Sequence, residues 1–304
     1  MLRRTFLYLS TNSSLRRWME NSPISRGLTA RFIAGRTLAE GIQVLERLSV
    51  ERTLGTLDFL GENVTSLEEA AHSRDCYLQA LEQIDRAHLP ATVSIKLTQF
   101  GLDFSEAGCY ANVSALVERA KRMNTRVEID MESSEYTDRT LDLVVRLQEQ
   151  YQGHVRAVIQ AYLYRSEADI GMLSERKIPV RLCKGAYREP PTVAFPHKPD
   201  VDGNYVKLMK LLLDRGAYPA IASHDEQIIR EALRHVKEQK LAPHRFEFQM
   251  LYGIRRDLQG QLVKQGFRLR LYVPYGDAWY PYFMRRLAER PANALFLARN
   301  LLRK

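Results

Sequence analysis

Short apolar runs alternate with longer amphipathic stretches from about residue 54 onward. LGTLDFL (54–60) has the length and apolar content of a buried strand, and 65–87 follows with apolar positions at helical spacing. Thr65 with Glu68 three residues later resembles a capping box for that helix. The same unit then recurs. Strands are predicted over 91–100, 126–131, 155–163, 178–187, 218–224, 245–253 and 267–276, with helices over 105–123, 136–150, 166–176, 202–216, 225–240 and 255–265 between them. After the eighth strand the chain turns at Pro274 and Gly276 into a last helix, with Asp277 as its expected N-cap and Pro281 in the first turn. Residues 1–48 contain no strand-like run and read as two or three short helices.

Eight strand–helix units in about 240 residues is the count of an α/β fold of the (β/α)8 TIM type. A doubly wound open sheet would carry fewer strands and, for a dinucleotide, a G-x-G-x-x-G after the first; that fingerprint is absent. No linker or low-complexity break follows residue 48. The expected organisation is an N-terminal helical segment, 1–48, and one catalytic barrel over 49–304 that includes the last helix.

Barrels of this type build their sites at the C-terminal ends of the strands. The chain offers Lys96 there on strand two, Asp130 on three, Gln160 on four, and Arg181, Lys184 and Tyr187 on five. Strand six adds Ser223 and His224, strand seven Glu247 and Gln249, strand eight Tyr272 and Tyr275. Parallel strands buried on both faces read as continuous apolar runs, so charges inside them need partners or ligands. Lys96 beside Ile95 and Asp130 after Ile129 are the most telling, either as a structural ion pair or as a binding pair. On the last helix Tyr282, Arg285, Arg286 and Glu289 share one face. Two adjacent guanidiniums make a clamp for a carboxylate or phosphate, although the same pattern suits a solvated helix with an i, i+4 ion pair. The polar rim followed by this helix points to a small anionic substrate and a larger polar cofactor.

Composition narrows the partners. The 304 residues are 45% hydrophobic, with a formal charge of +9. Residues 1–36 hold seven arginines against Glu20, and 285–304 hold six basic groups against Glu289, so the excess lies at the two ends. No aromatic-interleaved basic stripe or recognition motif suggests nucleic acid, whereas basic amphipathic ends suit an anionic membrane surface. Cys76, Cys109 and Cys183 are widely spaced, which favours free thiols in a reducing compartment. The N-terminal stretch is a poor signal peptide, and no run approaches transmembrane length, so an intracellular protein is expected, peripheral to the membrane at most. No serine elbow, paired-carboxylate signature or metal-ligand spacing appears, so hydrolysis has no obvious engine. A Schiff-base aldolase remains open through Lys96, although Asp130 is its expected partner and would keep it charged.

The set SIKLTQFG (94–101), DM (130–131), QAYLYR (160–165), RLCKGAYREP (181–190), SHD (223–225), FEFQMLYG (246–253), YVPYG (272–276) and YFMRRLAERPAN (282–293) closely resembles the proline dehydrogenase family, in order and across the barrel. The resemblance is to the short bacterial type, without the additional parts of the fused proline-utilisation enzymes. It implies non-covalent FAD and oxidation of L-proline to Δ1-pyrroline-5-carboxylate, with electrons passed to a membrane quinone. Arg285 and Arg286 then match the clamp on the proline carboxylate, joined by Lys96, with Asp130 ordering the cluster and Glu289 pairing an arginine. Tyr187, Tyr272 and Tyr282 match ring-walling tyrosines, and Arg181 the arginine near flavin N5. Met131, Gln160, Lys184, Gly185, Ala186, Ser223 and His224 match FAD contacts. Ser223 stands where threonine is common, and Cys183 where an aliphatic residue is expected, a place from which it could sensitise the site to thiol reagents. Hydride transfer without a dedicated general base is the expected chemistry.

Overall fold

The computed structural model describes residues 31–61 and 64–289, with side chains as far as residue 284. Eight parallel strands close into a barrel in sequence order. They are β1 (Leu54–Phe59), β2 (Ala91–Ile95), β3 (Val127–Ile129), β4 (Val155–Gln160), β5 (Val180–Cys183), β6 (Ala220–Ala222), β7 (Glu247–Leu251) and β8 (Leu269–Tyr275). The ring closes where β1 pairs with β8 from Leu54–Arg270 to Phe59–Tyr275. Helices α1 (Leu38–Val50), α2 (Leu67–Arg86), α3 (Glu106–Arg122), α4 (Thr137–Gln150), α5 (Ser166–Glu175), α6 (Lys198–Arg215), α7 (Glu226–Glu238), α8 (Arg256–Lys264) and α9 (Trp279–Glu289) complete the described elements.

The predicted units are all present, with strands shorter than expected. β2 ends at Ile95 because Lys96 leads into a single 3-10 turn, Leu97–Phe100, which Gly101 closes at φ +89°. That backbone region is costly for residues with a Cβ. The start of α2 is displaced by one residue from the expected Thr65–Glu68 box. Ser66 accepts from the Glu69 N–H, and the Glu69 carboxylate takes the Thr65 N–H. Before α9, Asp277 lies two residues outside the helix and accepts from Arg36 Nε at 2.6 Å, so its carboxylate serves an ion pair rather than a cap. Of the helices expected within residues 1–48, those before residue 31 lie outside the described residues, and α1 is the last of them.

A barrel helix normally follows each strand and packs on the wall beside it. Here α1, which precedes β1, covers the seam between β8 and β1. Gly41 lets it approach so closely that a Cβ would meet Leu57 at 3.3 Å and the Tyr275 ring at 3.5 Å. Across the contact, a Cβ on Gly55 would lie 2.1 Å from a Leu45 methyl. With the wall occupied, α9 packs elsewhere. Trp279, Tyr280, Tyr282, Phe283 and Met284 form a separate apolar cluster with Phe32, Ile33, Leu60 and Ile254. Leu60 and Ile254 follow the C-terminal ends of β1 and β7, so α9 lies over that mouth of the barrel. The main core fills the space between helices and outer strand faces, through residues such as Leu57, Val93, Ile95, Val127, Ile129 and Val273.

Candidate active site

Inside the ring the residue type reverses. Side chains alternate along a strand, so residues two apart share a face. The inward positions carry Thr56 and Asp58, Thr92 and Ser94, Glu128 and Asp130, Arg156, Arg181, Glu247 and Gln249, and Arg270 and Tyr272, which hydrogen-bond across the lumen. Arg156, Arg181 and Arg270 join Glu128, Asp130 and Glu247 in a connected set of ion pairs, and Lys96 forms a separate pair with Asp58.

The deeper half centres on two glutamates with no exposed surface. Glu128 accepts from Arg156 Nη1 at 3.1 Å, Arg181 Nε at 3.0 Å and Thr92 at 3.0 Å. Glu247 accepts from Arg156 Nη1 at 2.6 Å, Arg270 Nε at 2.9 Å and Gln249 at 2.7 Å. Burial opposes ionisation of Glu128, but Arg181, Arg156 and Arg270 outweigh it and bring its pKa to about 2. Glu247 is driven well below the carboxylate range by Arg156 and Arg270 against the same burial. Removing one member of such a set leaves an uncompensated buried charge, which makes these residues hard to replace singly.

The upper half is the candidate site. Asp130 Oδ1 accepts from Arg181 Nη1 at 2.6 Å and from Ser94 Oγ at 2.9 Å, and Oδ2 accepts from Tyr272 Oη at 2.8 Å. The Arg181 guanidinium stands 5.4 Å from the Tyr272 ring centroid. Burial disfavours its charge, yet Glu128 and Asp130 overcome this and raise its pKa further. Of its five N–H donors, four are taken by Glu128, Asp130 and Ser94, leaving one at the Asp130 end without a partner among the described residues.

Lys96 does not pair with Asp130 as the sequence suggested. Its Nζ donates to Asp58 at 3.3 Å, and Asp58 is itself buried on β1. Asp130 is instead taken up by Arg181. Glu247 and Gln249 also differ from expectation: Glu247 opens β7, so both belong to the interior network below the rim. Among the residues passed over, Asp58, Ser94, Glu128, Arg156 and Arg270 are buried in this interior. Their signal was the polar residue at every second position, as in Thr92–Ser94–Lys96 and Glu128–Asp130.

Around the rim, Met131 and Gln160 are buried, and Gln160 Nε2 donates to the Glu132 carbonyl at 2.8 Å. Glu132, also overlooked, accepts from Thr98 Oγ1 at 2.7 Å. After β5 the chain is pinned by Glu189, whose carboxylate takes the Ser134 N–H at 2.7 Å, and by a bridge between Leu163 and Ala194. In that loop Gly185 has φ +113°, and a Cβ there would meet the Tyr162 ring at 2.4 Å. Lys184 pairs with Asp202 and Asp225, and Ala186 and Tyr187 are exposed. Ser223 Oγ accepts from the Asp225 N–H at 3.1 Å, and His224 Nε2 accepts from the Leu251 N–H at 2.8 Å. That acceptor role fits a neutral imidazole protonated on Nδ1. Burial pushes the Cys183 thiol up to about 12, which makes it a poor nucleophile near neutral pH. Tyr282 is buried in the α9 cluster. The side chains of Arg285, Arg286 and Glu289 lie outside the described residues, although the helix that carries them extends over the mouth.

A closed parallel barrel with an ion-pair-lined mouth and a helix across it is the architecture of a barrel enzyme for a small charged substrate. A family profile described as proline dehydrogenase matches residues 42–299. The chain belongs to the proline dehydrogenase family and is an oxidoreductase acting on proline. It is 40% identical to Proline dehydrogenase 1 of Bacillus subtilis (strain 168) over 304 residues, covering 100% of both chains. It is 40% identical to the proline dehydrogenase of Deinococcus radiodurans over 280 residues, covering 91% of this chain and 90% of that one. A crystal structure of proline utilization A from Bdellovibrio bacteriovorus superposes with a TM-score of 0.83 at 25% identity, over 95% of this chain and 36% of the other.

Proposed function

We propose that this protein oxidises L-proline to Δ1-pyrroline-5-carboxylate with non-covalently bound FAD and passes the electrons to a quinone. The observation that carries this reading is Arg181: a buried guanidinium held cationic by Glu128 and Asp130, with one N–H left to donate at the mouth. A fixed cation there fits an isoalloxazine that becomes anionic on reduction. Around it, the amide of Gln160, the loop Lys184–Gly185–Ala186, Ser223, His224 and the apolar Met131 form a donor set suited to the rest of the cofactor. When bound, FAD supplies the hydride acceptor.

The remaining work falls to this chain's side chains. Arg285 and Arg286 on α9, with Lys96 after β2, hold the proline carboxylate, and Glu289 holds one of the arginines in place. Tyr187, Tyr272 and Tyr282 enclose the ring, which orients the carbon next to nitrogen and excludes water. Three cations around the carboxylate disfavour the protonated amine, so the neutral amine with its lone pair is the bound form. Asp130 positions Arg181 and Tyr272. Both its oxygens already accept hydrogen bonds, so it is not free to take a proton from substrate. The basic ends serve contact with the anionic membrane that carries the quinone. A Schiff-base role for Lys96 is less consistent with its contact to the buried Asp58 carboxylate.

Purified protein should be yellow, and its flavin absorbance should bleach anaerobically on addition of L-proline with one equivalent of pyrroline-5-carboxylate formed. A colourless protein that gains no flavin on reconstitution would overturn this reading.

A further inference from the structure

A cavity lies at the other end of the barrel, away from the Asp130 rim. It measures about 850 Å3 and is lined by the residues that open the strands, among them Leu54, Ala91, Arg126 and Arg270. The site proposed above lies at the opposite mouth and uses none of it.

Its charge is one-sided. Arg126, Arg268 and Arg270 line the cavity with His88 and His244, against one acid, Asp85. Asp85 is already engaged by Arg119 at 2.9 Å, and Arg270 by Glu247. Neither Arg126 nor Arg268 has an ion-pair partner among the described residues. Arg126 Nη1 is buried and without a hydrogen-bond partner among the described residues. Burial, reinforced by Arg156 and Arg270, outweighs the pull of Glu247 and Glu128 and lowers its pKa to about 10, so it remains charged at neutral pH at an electrostatic cost.

Tyr218 organises the cluster. The guanidinium carbons of Arg126, Arg156 and Arg268 stand 5.0, 5.4 and 5.8 Å from its ring centroid. Arg156 is neutralised by the two buried glutamates, whereas Arg126 and Arg268 line the cavity together with Tyr218. Arg268 Nη1 also donates to Tyr218 Oη at 3.2 Å and to the His244 carbonyl at 3.3 Å, which fixes its head beside the opening. Arg126 is half-buried, and a cation with a buried, unbonded donor is costly unless something supplies the opposite charge. Two preset guanidiniums with unused donors match a doubly charged oxyanion, which each can bind by two parallel hydrogen bonds.

We infer that the N-terminal mouth of the barrel is a binding site for a phosphate group, held between Arg126 and Arg268 beside Tyr218. The volume exceeds what phosphate alone needs, and the apolar walls at Leu54, Leu89 and Pro90 suit a small organic moiety attached to it. Free phosphate and an organic phosphomonoester are the two sources of that group.

The holoenzyme should be titrated calorimetrically with inorganic phosphate and, separately, with glycerol 3-phosphate, at constant ionic strength set by chloride. Saturable binding is expected for at least one of them, weakened about tenfold or more by Arg126→Gln and by Arg268→Gln. Tighter binding of glycerol 3-phosphate would identify an organic phosphate as the ligand; equal or weaker binding would identify free phosphate. Arg268 is exposed, so its replacement leaves the fold and the proline oxidation rate intact even if Arg126→Gln proves unstable. Anion held at the opposite mouth by the α9 arginines would be blind to both substitutions. Absence of saturable binding of either ligand up to about 50 mM, or binding unchanged in Arg268→Gln, would overturn the inference.

Discussion

Replacing Asp130 with Asn separates a positioning role from a base role. The substitution keeps the size of the side chain but removes its charge and converts one oxygen into a donor. Three hydrogen bonds are affected, from Arg181 Nη1 at 2.6 Å, Tyr272 Oη at 2.8 Å and Ser94 Oγ at 2.9 Å. The amide oxygen can keep the Arg181 or the Tyr272 bond but not both, and the amide nitrogen then faces a donor. A hydrogen bond to a charged group contributes about 1.5–3 kcal/mol, which corresponds to a loss of roughly 10- to 150-fold if it is expressed in the transition state. The measurement is anaerobic stopped-flow reduction of the flavin by L-proline between pH 6 and pH 10, about the range spanning the substrate amine. The expected result is a reduction rate lower by that factor, with the shape of the pH profile preserved, because the same amine still has to be neutral. A loss near 10⁴-fold with the dependence on a protein base abolished would show that Asp130 takes the proton, which would refute the positioning argument. An unchanged rate would refute it from the other side.

Glu128→Gln leaves Arg156 and Arg181 short of a buried counter-charge and should cost about 3–5 kcal/mol; a melting temperature lower by roughly 10 °C in a circular-dichroism scan is expected, and a shift under about 2 °C would contradict the network. Glu128 has a folded pKa of about 2 against an ordinary 4.5, so its stabilising contribution, about 3 kcal/mol, is present above pH 4.5 and is lost as pH falls towards 2. Glu247 is depressed as well, so urea midpoints should fall steeply below pH 4.5, and a flat profile down to pH 2 would be inconsistent with both. Arg286→Lys should raise the proline KM strongly while leaving flavin content unchanged, because an ammonium cannot reproduce the guanidinium fork; an unchanged KM would remove the clamp. Sedimentation with anionic vesicles at low salt should carry the protein into the pellet, and recovery in the supernatant would rule out the membrane contact.

The eight-unit rhythm was legible because the outer faces of the strands and one stripe of each helix must be apolar for the layers to pack. Boundaries were less so. β2 was read through to residue 100 because Leu97 and Phe100 are as apolar as a strand, yet they sit in a 3-10 turn that Gly101 can close. Of the site, Arg181, Asp130 and Tyr272 were found because charge inside a buried strand is conspicuous, and they do meet. Their partners were misassigned. Lys96 and Asp130 directly follow neighbouring strands, but which carboxylate meets which cation depends on the stagger of the ring, and β1 brings Asp58 to Lys96 instead. The expectation of wholly apolar strands also concealed the alternation that marks the lumen, where Glu128, Arg156, Glu247 and Arg270 satisfy one another through partners up to 142 residues apart, as in Glu128 and Arg270.

The helix that covers the β8–β1 seam comes from in front of the first strand, and this divides labour within the fold. The repeating unit that closes the wall is effectively helix-then-strand, which among the described residues leaves one helix, α9, surplus to the scaffold. A surplus element can change its sequence, tilt or occupancy without reopening the ring, so selection on what the mouth admits and selection on thermal resistance act on separate parts of the chain. A shortened chain that ends after β8 should therefore still melt cooperatively as a barrel while lacking the helix that lies over its mouth.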